Sequence, residues 1–191
     1  MNIIEAYFSE DEVQNFGFAR IGKNVKIKRN VGIVGTENIS IGDNVRIDDF
    51  TMFMASGEPC RIGSYVHVAA HCTIYGKAGF VMEDFSTLSP GIRLFTLSDD
   101  YSGRKLTNPL LPSEYVGGAR GMVTLKRHVI IGANSVILPD LTIGEGTSVG
   151  AMSLVNKDLD PWGIFAGIPV RRLKDRKKDL LELEKRLLSE Q

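Results

Sequence analysis

The chain of 191 residues is long enough for one domain with a sizeable core, or for one domain with an appendage. Its 23 basic residues equal its 23 acidic residues, and this balance gives no electrostatic basis for binding nucleic acid or an acidic membrane surface. The sequence shows no signal peptide and no apolar stretch approaching the roughly 20 residues of a membrane-spanning helix. With only two cysteines, we expect a cytoplasmic protein without a disulfide framework.

Taken in chain order, the first predicted element is a short helix. Ser9 precedes Glu12 by three positions, which is a capping-box pattern, and Gly17 is a plausible stop signal. We expect residues 1–19 to form a cap in front of the repeats that follow.

From residue 20 onward an apolar position recurs every six residues, in segments such as IGKNVK, IGDNVR, IGSYVH, IGANSV and IGEGTS. The hexads group into six triplets whose leading residues are all apolar, whereas a chain that is 43% hydrophobic would place about eight apolar residues at these positions by chance. The leading residues are Ile21, Ile27, Ile33, Ile41, Ile47, Phe53, Ile62, Val68, Ile74, Met82, Leu88, Leu94, Leu125, Ile131, Ile137, Ile143, Val149 and Val155.

Every interruption of the repeat follows a third hexad, so the extra residues fall at one corner of a three-sided prism. Each hexad supplies a short strand and a bend, and successive coils stack about 4.8 Å apart, as neighbouring strands do. A smaller residue often points inward four positions after the leading one, as at Val25, Val45, Thr51, Cys72, Ala78, Ser86, Ser135, Thr147 and Ser153. We therefore predict an all-β fold, a parallel β-helix of six three-sided coils over residues 20–169.

One interruption is much longer than the others. Residues 98–122 carry Pro109, Pro112, Gly117 and Gly118, and a connection of this length is usually functional or disordered. We expect this loop excursion to project over a neighbouring subunit and to help wall a groove.

The last predicted element is an amphipathic helix over residues 170–191. Its charged side chains are expected to face solvent, while the helix caps the open end of the solenoid. The apolar positions are Leu173, Leu180, Leu183, Leu187 and Leu188.

Residues 125–174 read LKRHVIIGANSVILPDLTIGEGTSVGAMSLVNKDLDPWGIFAGIPVRRLK. This segment closely resembles the C-terminal coils of hexapeptide-repeat acyltransferases, a family that includes galactoside, maltose and xenobiotic acetyltransferases. The resemblance covers about residues 20–174. It implies a left-handed β-helix, acetyl-CoA or a short acyl-CoA as co-substrate, no metal, and a homotrimer with active sites in grooves between neighbouring subunits.

The resemblance implies a coenzyme A site at Ala133, Ala151, Asn156, Lys157, Arg171 and Lys174. Ala133 and Ala151 are each third in their hexads, one coil apart, so the register predicts that they stack in one column. Small side chains there would let an extended pantetheine arm approach, and cations further up would bind its phosphates. Followed downward, the same column leads to Ser89, with His71 adjacent.

The loop departs from the pattern of the family's sugar O-acetyltransferases, which commonly use a His after a coil ending in a sequence like LFT. Here Leu94-Phe95-Thr96 is followed by LSDDYSG, and the excursion contains no His. Residues 84–112 resemble the subgroup that acylates nucleotide-linked amino sugars for surface glycans. We expect Asp99 or Asp100 to orient and deprotonate the acceptor amine, Ser89 to be a hydrogen-bond partner and His71 to be a competing base. Repulsion between the adjacent carboxylates should raise the pKa of one of them.

O-acetyl transfer to a sugar hydroxyl is the alternative activity. A zinc enzyme of the same architecture would need three His ligands around one ion, but the register puts His67 and His71 on different faces of one coil and His128 two coils away. A scaffold without activity would need neither the column nor the loop. We expect His67 and His128 to be outward-facing surface residues and Cys72 to be a packing residue.

Overall fold

The computed structural model describes residues 7–190; the outermost residues of both predicted end segments, 1–6 and 191, lie outside the described part. The predicted N-terminal helix is confirmed as α1 (Glu10–Gln14). Its capping box is complete, since the Ser9 hydroxyl accepts from the Glu12 amide at 3.2 Å and the Glu12 carboxylate accepts from the Ser9 amide at 2.7 Å.

Three short strands make each coil of the repeat region, as predicted. In chain order the strands are β1 (Arg20–Ile21), β2 (Lys26–Ile27) and β3 (Gly32–Val34); β4 (Ile39–Ile41), β5 (Arg46–Ile47) and β6 (Met52–Met54); β7 (Cys60–Ile62), β8 (His67–Val68) and β9 (Thr73–Tyr75); β10 (Phe80–Met82), β11 (Thr87–Leu88) and β12 (Arg93–Phe95); β13 (Val123–Leu125), β14 (Ile130–Ile131) and β15 (Val136–Ile137); β16 (Leu141–Ile143), β17 (Ser148–Val149) and β18 (Leu154–Val155).

Three parallel sheets form the faces of the prism. The first face has the strand order β1-β4-β7-β10-β13-β16, the second begins β2-β5-β8-β11-β14-β17, and the third is β3-β6-β9-β12-β15-β18. We call the bends corner I (first to second face), corner II (second to third face) and corner III (third to first face). Each strand thus pairs with the strands one coil earlier and one coil later. This pairing satisfies the backbone hydrogen-bonding groups even though the strands are short.

The interior is filled as the register predicts. All the leading residues are buried except Ile21 and Ile33, which are half-buried in the first coil, where no earlier coil covers them. Phe8, Phe16 and Phe18 pack against the core at this open end. The predicted small inward positions, from Val25 to Ser153, are also buried.

The upper end differs from the prediction. After the sixth coil, Leu159 forms a bridge with Ile143, and β19 (Gly163–Ala166) pairs with β17, so a partial seventh coil extends the six that were predicted. Next comes β20 (Arg171–Asp175), which pairs antiparallel with β19. The prediction that the helix begins at residue 170 is therefore wrong: α2 spans Leu180–Ser189. Strand pairing satisfies the backbone of residues 171–175, which overrides the helical periodicity of the leucines.

A polar cluster anchors α2 to corner I. Glu184 accepts from His128 Nε2 at 2.6 Å and forms an ion pair with Arg127. Arg176, just before α2, donates to the carbonyls of His128 (2.8 Å) and Gly146 (3.0 Å). His128 is only 6% exposed, so the expectation of a surface histidine is wrong at this position. Burial, together with the charges of Arg127 and Arg176, lowers the pKa of His128.

The three faces differ in their outward-pointing side chains. The first and second faces present mainly polar and charged residues, among them Arg20, Arg61, Arg46 and His67. The third face is mostly apolar, although Thr73 and Arg93 also point outward on it, and the Tyr75 and Phe95 rings stack there with centroids 5.3 Å apart. Its outward residues include Val34, Met52, Met54, Tyr75, Phe95, Val136 and Leu154.

Candidate active site

Corner II carries the predicted column of small residues. The Gly91 amide donates to the Ala70 carbonyl (3.0 Å), Asn134 to Pro90 (3.0 Å) and Met152 to Ala133 (2.8 Å). These bonds stack successive coils at one corner. Ala133 is half-buried and Ala151 exposed, so neither faces the interior. The predicted alignment of Ala133 with Ala151 is confirmed.

Ser89 lies on the same corner, at the level of the fourth coil. Its amide donates to the Ile131 carbonyl at 2.9 Å, and its own carbonyl accepts from the buried Cys72 Sγ at 3.3 Å. Burial raises the pKa of the Cys72 thiol, which keeps this donor protonated. The backbone of Ser89 is thus held from both neighbouring coils, while its half-buried side chain remains at the surface.

His71 is one coil below Gly91 and is exposed. Its backbone is left-handed (φ 61°), and its ring stacks on that of Phe50 with centroids 5.0 Å apart and planes 18° apart. The Arg93 guanidinium donates to the carbonyls of His71 (2.6 Å) and Gly91 (3.1 Å), bracing this part of the corner.

The two candidate carboxylates have different surroundings. Asp100 Oδ1 accepts from the Ser102 amide and hydroxyl, and Oδ2 accepts from the amides of Arg104 (2.7 Å) and Lys105 (2.8 Å). These bonds lower the pKa of Asp100 to about 2, so the expectation of a raised value does not hold for this residue. The exposed Asp99 side chain makes no hydrogen bond within the described part of the chain. The geometry commits Asp100 to shaping its own loop and leaves Asp99 available for a ligand.

The cationic candidates separate into two groups. Arg171 pairs with Ala166 in the β19–β20 ladder and Lys174 with Ile164, so both lie at the top of the second face, Arg171 toward corner II and Lys174 toward corner I. Asn156 and Lys157 instead follow β18 and are exposed at corner III. Within one subunit, Lys157 therefore lies across the third face from the Ala133–Ala151 column.

The loop excursion of residues 98–122 lies on the corner III side, with Lys157. It leaves at corner III, where Leu97 bridges Arg120 and the Ser98 amide donates to the Ala119 carbonyl at 2.9 Å. Ser89 is at corner II, at the other end of the strand that leads to the loop. A prism side of six residues spans roughly 15 to 20 Å. One subunit thus presents Ser89 and the alanine column at one corner, and Asp99 and Lys157 at the next.

Other parts of the surface do not gather these groups. A groove of about 370 Å³ on the first face is lined by residues including Arg20, Ser40, Arg61 and Asp84, and none of the candidate site residues lines it. Among the described residues, no three His, Cys, Asp or Glu side chains come together in an arrangement that could hold a metal ion. No helix in residues 7–190 is long and apolar enough to cross a membrane.

Residues 122–157 match the family model described as bacterial transferase hexapeptide (six repeats). Over 179 residues the chain is 40% identical to dTDP-4-amino-4,6-dideoxy-D-glucose acyltransferase of Escherichia coli, a match that covers 94% of this chain and 93% of that one. The chain belongs to the hexapeptide-repeat acyltransferases.

Solved structures agree with this assignment. The acyltransferase superposes on a serine-to-threonine variant of AntD, an N-acyltransferase from Bacillus cereus in complex with dTDP and coenzyme A, with a TM-score of 0.93, 43% identity and coverage of 97% of this chain and 98% of that one. It is also 41% identical over 142 residues to galactoside O-acetyltransferase of Escherichia coli K12, covering 73% of this chain and 66% of that one.

Two features of the acyltransferase's surface were not predicted from the sequence. Phe50 and Asn134 occupy corner II with left-handed backbones (φ 58° and 57°), and Asn134 extends its amide over Gly91. Both are fourth in their hexads, the bend position where Asn24 and Asn44 also have positive φ. That periodic position is the signal that could have located them.

Proposed function

We propose that this acyltransferase moves an acyl group from acyl-CoA to the amino group of a nucleotide-linked amino sugar. The observation that carries the proposal is the similarity, over nearly the whole length of both chains, to dTDP-4-amino-4,6-dideoxy-D-glucose acyltransferase. Structures of AntD hold dTDP-4-amino-4,6-dideoxyglucose with coenzyme A, or dTDP with 3-hydroxybutyryl-CoA, and AntD is 44% identical to this chain in the latter.

The reaction requires few groups. The acceptor amine attacks the thioester carbonyl, a C–N bond forms, the C–S bond breaks, and the amine loses a proton as the thiolate leaves. A carboxylate suffices to orient an amine and take its proton, and a hydrogen-bond donor steadies the oxyanion. We assign the first role to Asp99, because Asp100 is occupied by its own loop, and we assign hydrogen bonding at the reacting centre to Ser89.

Spacing supports this pair. Structures of AntD include variants with one serine replaced by Ala, Cys or Thr, and others with an aspartate ten residues further on replaced by Ala or Asn. Ser89 and Asp99 are also ten residues apart. We take these two residues to be the counterparts of the substituted pair.

For the coenzyme, we propose that the pantetheine arm lies along corner II. The small side chains of half-buried Ala133 and exposed Ala151 leave room for close approach of the arm, Arg171 supplies a cation at the top of this corner, and Lys174 supplies one further across the second face. Asn156 and Lys157 would reach the same coenzyme from corner III of a neighbouring subunit.

This division of groups supports a homotrimer. The third face lies between corners II and III, and it is the apolar face, so its burial against other copies would remove hydrophobic surface from water. Around a threefold axis, corner II of one subunit would meet corner III of the next, which brings Ser89 to Asp99 and the alanine column to Lys157. The buried free thiols Cys60 and Cys72 suit the reducing cytoplasm, where we place the enzyme.

The decisive test offers the purified protein dTDP-4-amino-4,6-dideoxyglucose or dTDP-glucose, each with acetyl-CoA or 3-hydroxybutyryl-CoA. Coenzyme A release and product mass are followed. We expect acylation of the amino sugar and none of dTDP-glucose, which offers only hydroxyls. Absence of transfer to the amine would refute the proposal.

O-acetyl transfer is the second candidate, favoured by the 41% identity to galactoside O-acetyltransferase over 142 residues. In that case His71, adjacent to Ser89 on corner II, would be the base that activates the hydroxyl. Acylation of dTDP-glucose, or of a free galactoside, with loss of that activity in the His71→Ala variant, would establish this activity instead.

A further inference from the structure

Two stacked rings on corner II are exposed below Ser89. Phe50 and His71 lie one coil apart with nearly parallel planes, and 60% of Phe50 is accessible to solvent. Exposing an aromatic ring to water is unfavourable. The backbone of Phe50 is left-handed (φ 58°), a conformation that Asn or Gly adopts more readily than Phe.

A comparable stack on corner I is used differently. There Tyr65, Phe85, His128 and Trp162 form a ladder, with Tyr65 and Phe85 at 4.6 Å and Phe85 and His128 at 5.3 Å. The cations Arg127 and Lys178 lie over Phe85 and Trp162, so protein groups cover those rings. On corner II, His71 covers only one face of Phe50. The position one coil below Phe50 carries Asn30, which has no ring, and within residues 7–190 no ring or cation stacks on the lower face of Phe50.

The distance between Ser89 and Phe50 limits which ligand could contact both residues. Phe50 lies two coils below the Gly91 corner, about 10 Å along the axis. The Arg93 guanidinium lies between these two levels, on the carbonyls of His71 and Gly91, and Arg93 is exposed. Going down corner II, the protein thus presents the Ser89 hydroxyl, then the Arg93 guanidinium and then the Phe50 ring. A nucleotide-linked amino sugar placed with its amine at Ser89 would bring its two phosphates and then its flat base to these groups in the same order.

We propose that the free face of Phe50, backed by His71, is the platform on which the nucleobase of the acceptor stacks, with the Arg93 guanidinium beside the diphosphate. This inference rests on the proposed function, because it concerns the acceptor of that reaction. His71 is then a support for the platform. Base–aromatic stacking tolerates different bases, since every base has a flat π-face.

The test uses the full-length protein and titration with dTDP, UDP and inorganic pyrophosphate in turn. The main variant is Phe50→Asn, which removes the ring but tolerates positive φ. We expect the Kd for dTDP to rise about tenfold or more, the usual cost of losing one stacked base, with no change for pyrophosphate or for coenzyme A. Phe50→Tyr keeps the ring and should bind dTDP like the unmodified protein.

Tyr65→Asn is the matched control, since it makes the same replacement of a stacked ring at positive φ (57°), but on corner I and in the next coil. It should leave the Kd for dTDP unchanged. The platform is refuted if Phe50→Asn, with unchanged melting temperature and oligomeric state, binds dTDP as tightly as the unmodified protein, or if the unmodified protein binds neither nucleotide. The proposed function fails separately, if the unmodified protein binds dTDP but acylates no nucleotide-linked amine.

Discussion

Ser89 and Asp99 lie at opposite ends of the third face, although only ten residues separate them in the chain. Ser89 is at corner II, where its amide donates to Ile131, and Asp99 is at corner III, in the loop that begins beside the Leu97–Arg120 bridge. The strand Arg93–Phe95 runs between them. In the proposed homotrimer, two different subunits would contribute these groups to one acyl transfer.

Mixed trimers test this arrangement. Ser89→Ala and Asp99→Ala should each lower turnover strongly as pure proteins. Co-expressed at equal levels with different affinity tags, they should form trimers in which about a quarter of the interfaces combine an intact Ser89 with an intact Asp99. After purification through both tags, every trimer contains both variants and has one intact interface out of three, so activity should rise toward about a third of that of the unmodified enzyme. No recovery above the sum of the pure variants would mean that both residues act from one subunit.

The two neighbouring aspartates should respond differently to removal of charge. Asp99→Asn is expected to lower kcat by about a hundredfold or more, since it removes the proposed base, while leaving the KM for acyl-CoA nearly unchanged. Asp100→Asn should instead loosen the loop, because Asp100 accepts four hydrogen bonds from residues 102–105. Limited proteolysis would show cleavage within 101–118 in Asp100→Asn and protection in Asp99→Asn. The assignment is reversed if Asp100→Asn loses turnover with its loop still protected.

Acid should open the same loop at a defined point. The pKa of Asp100 is lowered from 3.8 to about 2. The ordering that this carboxylate gives the loop is therefore complete above about pH 3.8 and is lost as the pH falls toward 2. Amide protection of Arg104 and Lys105, measured by hydrogen exchange from pH 5 down to pH 2.5, should fall in this window. Unchanged protection across it would contradict the assignment.

The Glu184 contact should stabilise the attachment of α2. Glu184→Ala removes the partner of two groups at corner I, Arg127 and His128, and should lower the free energy of unfolding by about 1–3 kcal/mol. Glu182→Ala is the control, because among the described residues exposed Glu182 forms an ion pair only with Lys185, and its loss should cost less than about 1 kcal/mol. Denaturant titration of both variants gives the comparison, and equal losses would contradict the anchoring role.

The same cluster predicts how stability depends on pH. Arg127, Arg176, Asp84 and Glu184 face His128, and burial with the two arginines lowers its pKa below the ordinary 6.5. The folded protein then binds fewer protons than the unfolded chain, so stability is complete above about pH 6.5 and declines as the pH falls through this value. His128→Asn, which tolerates φ 62°, should show a smaller difference in stability between pH 7.5 and 5.5. An unchanged difference would exclude His128 as the titrating group.

Most of the fold could be predicted from the repeat. The positions that point into the closed prism recur at the same places in every hexad, and they accept only apolar or small side chains. Residues as different as Phe53, Met82 and Thr147 are buried in the positions that the register gives them. The stacking of Ala133 and Ala151 followed from the same periodicity. Local spacing sufficed at these sites because each coil repeats the geometry of the last.

The errors occur where the repeat ends. Leu173 fits a helical pattern but lies in a strand, because the edge of β19 was available for pairing. His128 has the sequence neighbourhood of a surface residue, and it is buried only because a helix over fifty residues later covers it. Which of Asp99 and Asp100 is free depends on the path of the loop backbone, which no periodic pattern specifies.

The antiparallel strand Arg171–Asp175 also governs how far the solenoid can grow. A stack of parallel coils ends in unpaired backbone groups, and such an edge can template the addition of another molecule into a fibre. By folding back on Gly163–Ala166, the strand pairs the upper edge of the second face, and four of its five side chains are charged. These charges disfavour pairing with another edge, so the strand opposes end-to-end growth of the column at this face.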